Sequence, residues 1–101
     1  MSGRLTFHPL VQKDLNEILS YYEQEASPEV ADRFEAEFRN GLAAIKESPR
    51  RFPYYLMQRR YRRFSLPTFP HLIVYRETSI SIRIMVLKHV KRSPGFGLRR
   101  R

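Results

Sequence analysis

The side chains able to do chemistry in this sequence are cations, tyrosines and three histidines. Arg59, Arg60, Arg62 and Arg63 surround Tyr61 in a run of five. Guanidinium groups packed this closely bind phosphates or carboxylates, and the interleaved ring can stack on a base or pack on a protein. The same run also reads as a charged edge strand protected from pairing. Lys88, Lys91 and Arg92 form a second basic group around His89. An imidazole titrates near neutrality and can serve as acid or base, although a histidine ending a strand is also a common structural residue. His8 and His71 are read as ordinary surface or strand-end residues, and Tyr54 and Tyr55 either stack on a partner or anchor a loop. No spacing of His, Asp or Glu suggests a metal site, and with no cysteine the chain has no thiolate chemistry, disulfide or Cys-based zinc site. No cofactor is expected.

Charge divides the chain in two. Residues 1–49 hold five Lys/Arg against nine Asp/Glu, whereas residues 50–101 hold fourteen against the single acid Glu77, a net of −4 followed by +13. One dominant basic face is expected, meeting an anionic or acidic partner. At 101 residues the chain is sized for one domain. Any site in so small a domain should be shallow, which favours a macromolecular ligand over a small-molecule substrate. No apolar run is long enough to span a bilayer and no signal-peptide pattern opens the chain, so a cytoplasmic protein without membrane contact is expected.

The elements that must position these groups follow from periodicity. Leu5 to Phe7 suits a first strand, and Pro9 suits a helix start. Val11, Leu15, Ile18 and Tyr22 then mark one helical face. Ser27 and Pro28 cap and open a second helix whose buried face is Ala31, Phe34, Phe38, Leu42 and Ile45, ending at Ser48-Pro49. Three β-rich runs follow: Tyr61 to Leu66, Pro70 to Arg76 and Ser79 to Lys88. Alternation predicts that Phe64 and Leu66 point inward and Arg63 and Ser65 outward, and that Ile80, Ile82, Ile84 and Val86 all pack on the helices. The expected architecture is α+β, in the order β-α-α-β-β-β. An antiparallel meander sheet packs on a two-helix hairpin and leaves a basic open face on its other side. The expected domain is residues 1–101, with 93–101 a basic tail that either folds back over the sheet or stays flexible until a partner arrives.

Four segments in this order, KDLNEILSYYE, IKESPRRFP, YRRFSLPTFPHLIVYRE and IRIMVLKHVKRSPG, resemble the ParE/RelE superfamily of type II toxins, often called plasmid stabilisation system proteins. The resemblance spans roughly residues 4–95. It implies a growth-inhibiting toxin held in check by an antitoxin that lays a helix or strand along it. RelE-like members cut messenger RNA in the ribosomal A site without a metal, and ParE-like members poison DNA gyrase. Against the RelE pattern, Arg63 matches the first strand lysine in position and charge. Ser65 replaces the second lysine, Leu72 stands where an arginine would be, and His89 takes the place of the last-strand arginine. No tyrosine follows Tyr75.

The resemblance therefore implies, as the leading function, a ParE-like growth inhibitor acting on a protein such as DNA gyrase. If the chain is instead a ribosome-dependent, metal-independent endoribonuclease, its catalytic set would be Arg63, Arg83 and His89 on one sheet face. A third reading is a non-toxic RNA-binding module. In each case Arg59, Arg60, Tyr61, Arg62, Arg63, Lys88, Lys91 and Arg92 form the expected partner or nucleic-acid surface.

Overall fold

The computed structural model describes residues 3–101. Strand β1 (Arg4–Phe7) leads into helices α1 (Leu10–Glu25) and α2 (Pro28–Glu47), followed by β2 (Tyr54–Tyr55), β3 (Gln58–Ser65), β4 (His71–Glu77) and β5 (Ser81–His89). The sheet order is β1-β5-β4-β3-β2. The meander β3-β4-β5 is antiparallel as expected. Strand β1 joins β5 in parallel, so the sheet as a whole is mixed. The two-helix hairpin carries the chain from β1 to β2 at the opposite edge, and the antiparallel strands then return to place β5 beside β1; parallel strands need a long connection of this kind.

Both helices follow their sequence signals. The Ser27 hydroxyl accepts the Val30 amide at 3.2 Å with Pro28 in the first turn. Val11, Leu15, Phe34, Phe38 and Ile45 are buried against Leu66, Phe69, Ile73, Tyr75, Ile82, Ile84 and Leu87. Gly41 sits where α2 presses on the sheet: a Cβ there would lie 2.9 Å from both Ile73 and Phe64 side-chain atoms. Tyr75 is fully buried and donates its hydroxyl to the Pro49 carbonyl at 2.6 Å, and burial pushes its phenol up to about 12.

The alternation along β5 departs from expectation. Val74 pairs with Val86 but Tyr75 pairs with Ile84, so Met85 is an extra residue in a bulge. Ile82, Ile84 and then Leu87 face the helices, whereas Met85 and Val86 belong to a second cluster on the opposite side. Ile80 lies in the preceding turn and is 79% exposed. Val86 and Ile80 are thus not part of the helix-facing core.

That opposite side is not an open basic face either. Tyr55, Tyr61, Leu72, Val74, Met85 and Val86 make it apolar, and Phe96 and Leu98 pack over it. Residues 93–101 fold back along the sheet in consecutive turns, with Phe96, Leu98 and Arg100 amides bonding to Ser93, Gly95 and Gly97 carbonyls.

The short β2–β3 hairpin has no counterpart in the sequence reading. Tyr55 pairs with Gln58 across Leu56 and Met57, whose φ values are +55° and +57°. Positive φ at both central residues is the type I′ arrangement, normally filled by Asn-Gly. A side chain in this region costs about 1–2 kcal/mol per residue.

A candidate partner-binding surface

Strand β3 presents its basic residues to two sides, and the two sides have different duties. Arg62 points with Phe64 and donates to the Phe52 carbonyl at 2.7 Å, to the Arg50 carbonyl at 3.3 Å and to the Tyr54 hydroxyl at 3.0 Å. Its guanidinium also stacks 4.1 Å from the centre of the Tyr54 ring. Arg62 therefore holds the β2 arm in place. Tyr61 is buried, and its hydroxyl donates to Leu98 O at 3.1 Å.

Lys88 is internal as well. It is 3% exposed, donates to the Ser93 and Pro94 carbonyls at 2.9 and 3.0 Å, and lies over the Tyr55 ring. Tyr61 and Lys88 pin the C-terminal segment to the sheet and are not free to meet a partner, contrary to the surface drawn from sequence. Arg59, Arg60, Lys91 and Arg92 are exposed and Arg63 is half-buried.

Arg63, Arg83 and His89 do not share a face. Arg63 and Arg83 lie on the side covered by the C-terminal segment, two strands apart, with Arg83 donating to Arg101 O at 2.8 Å. The bulge at Met85 turns His89 to the helix side, where it lines a groove of 430 Å³ with Ile18, Tyr21, Tyr22, His71 and Arg92. Arg83 and His89 are also six residues apart on one strand, about 20 Å. The His89 Nδ1 accepts the Lys91 amide at 3.0 Å.

The partner of His89 in this groove is His71, which the sequence marks only as an ordinary surface or strand-end residue. The two are paired in register with ring centres 5.1 Å apart. His71 is 4% exposed and its Nδ1 has no hydrogen-bond partner. Burial, with a smaller contribution from His89, lowers its pKa from 6.5 to about 4. The unfolded chain therefore binds a proton between pH 6.5 and 4 that the folded chain refuses, so stability falls as pH drops through that window and levels off below it. The expected loss is about 2–3 kcal/mol. Denaturant titrations from pH 7 to 4 should show it in the parent and lack it in His71→Phe.

At the other end of the sheet, Arg50, Arg59, Arg60 and Arg62 surround Tyr54 in a groove of 480 Å³ with Glu77 as its acid. Thr78 and Ser79 of the β4–β5 turn complete the rim. Arg50 reaches Glu77 at 3.2 Å, but its side chain is 81% exposed, so the pair adds little. Four guanidinium groups against one carboxylate leave the groove cationic. Among the described residues no three His, Asp or Glu side chains gather as a metal site requires, and no helix is long and apolar enough to cross a membrane.

Residues 5–94 match the family model described as the ParE toxin of type II toxin-antitoxin system, parDE. The chain is 32% identical over 97 residues to Toxin ParE2 of Mycobacterium tuberculosis, in both strain CDC 1551 / Oshkosh and strain ATCC 25618 / H37Rv. That alignment covers 94% of this chain and 89% of the relative. Its fold is similar to a chain of the chromosomal ParDE TA system from P. aeruginosa, with a TM-score of 0.77 at 16% identity, covering 87% of this chain and 96% of that one.

Proposed function

The chain belongs to the ParE toxins of type II toxin-antitoxin systems, and from that premise we propose that it arrests growth by binding a protein target such as DNA gyrase. Membership of a two-component family implies an antitoxin partner. We place both encounters in the cytoplasm, where the DNA is. The antitoxin meets the exposed cations that remain available, Arg59, Arg60, Lys91 and Arg92, with an acidic segment; Arg63, farther along β3, is half-buried.

One observation carries the choice of a protein target over message cleavage: the bulge at Met85 separates His89 from Arg63 and Arg83 by a whole sheet. Cleavage of a phosphodiester needs an acid or base and a phosphate-stabilising cation around the same group, within hydrogen-bond reach. The charged surface instead has the features of a steering and docking face, whose value lies in association rate and partner choice.

Induced expression should arrest growth, and co-expression of the small protein encoded beside it should restore growth. Sequencing of messages after induction should find them uncut. Messages cut at the ribosomal A site would favour the RelE-like reading, and no arrest at any expression level would contradict toxicity altogether.

A further inference from the structure

We propose that the β2–β3 tip, Leu56 and Met57, inserts into the target protein together with Ile80 of the β4–β5 turn across the arginine groove, which guides them there. This deepens the protein-target reading above and rests on it. The partner surface it fits is acidic, with an apolar recess at its centre.

Three observations converge. Met57 is 97% exposed, Ile80 79% and Leu56 42%, and the first two are among the most exposed large apolar side chains of the described residues. Methionine is enriched at interfaces because its flexible thioether adapts to the surface it meets. In addition, both tip residues hold positive φ, where Asn-Gly would sit without strain. Strain of this kind collects where a protein must present a particular side chain. Leucine and methionine at a two-residue turn are a poor choice for the fold and a good one for a contact.

The surroundings identify the partner's chemistry. The groove between this tip and the β4–β5 turn carries Arg50, Arg59, Arg60 and Arg62 against Glu77. Arg59 and Arg60 are exposed on the strand that rises from the tip. The exposed apolar residues Leu10 and Tyr21 lie instead on α1, in the acidic half of the chain. Among the described residues Val90, 50% exposed, also adjoins exposed cations, Lys91 and Arg92, but it stands alone, whereas the tip sets Leu56 and Met57 side by side next to a groove lined by four arginines. Phosphates would use the arginines and gain nothing from Leu56, Met57 and Ile80, so an acidic protein surface uses more of what is displayed. The arm is also preorganised: Arg62 ties it to Phe52, Arg50 and Tyr54, which reduces the ordering cost of docking.

The test replaces Leu56 by Asn and Met57 by Gly together. Because the change suits the turn, the variant should be more stable than the parent, with Tm higher by about 4–8 °C. Its affinity for the antitoxin should stay within a few-fold, while the induction level needed for growth arrest should rise at least tenfold. Ile80→Ser, which leaves the turn alone, should move arrest in the same direction. A parent that arrests growth and a variant that arrests it equally would overturn the role of the tip alone, whereas a parent that fails to arrest would overturn the protein-target reading itself. Loss of antitoxin affinity in step with arrest, or a parallel loss of binding to a 20-nucleotide single-stranded RNA, would also overturn the proposal.

Discussion

Replacing Arg100 by Met is expected to cost about 3–5 kcal/mol and to lower Tm by more than about 10 °C. The Arg100 guanidinium meets the Asp14 carboxylate through two bonds, at 2.6 and 2.9 Å, and also donates to the Met85 carbonyl at 3.1 Å. The side chains are only 11% and 8% exposed. Asp14 accepts the Leu87 amide as well, at 3.1 Å, so it links α1, β5 and the C-terminal segment. The pair itself need not stabilise strongly, because taking both charges out of water offsets much of their attraction. Removing only the cation leaves a buried carboxylate with a single amide donor, and that is the costly state. Arg99→Met is the control. Arg99 is exposed, and a surface change of this kind stays within about 0.5 kcal/mol.

Gly97→Ala should destabilise by about 2–5 kcal/mol, for two reasons that add. Gly97 has φ +84°, a conformation that alanine adopts only with strain. Its new Cβ would also lie 2.7 Å from the Val86 Cβ, and Val86 is fully buried. The methyl has nowhere to go unless the segment lifts, and lifting it uncovers Phe96, Leu98 and the sheet beneath. Gly95→Ala supplies the comparison, since nothing lies within 4 Å of a Cβ at that position. A thermal melt of the two variants should separate them by about 8 °C or more. Equal melting temperatures would mean that the segment does not pack on the sheet in solution.

These two sites show where sequence reasoning runs out. The helices were legible because 3.6-residue periodicity and the Ser27-Pro28 start are local signals, and the β4 and β5 runs because β-branched residues cluster there. Residues 93–101 carry no period, so their apolar and basic side chains gave no indication of direction. Three arginines at 99–101 look alike in sequence, yet only Arg100 finds a buried carboxylate, contributed by a helix 86 residues earlier.

The site was less legible than the fold, and the bulge is the main reason. A single extra residue, Met85, reverses the facing of everything after it. His89 thereby moves away from Arg63 and Arg83 and next to His71. The β2–β3 hairpin was invisible because Leu56-Met57 lacks any turn signature. Lys88 counted as surface on charge alone, although an amphipathic stem over Tyr55 and two carbonyl acceptors make it internal.

The central claim, a toxin that disables a protein and not a message, is tested most directly with purified components. DNA gyrase should lose supercoiling activity when the chain is added in stoichiometric excess, and regain it when the antitoxin is supplied. Uninhibited gyrase, together with messages cut in translating ribosomes under the same conditions, would contradict the account.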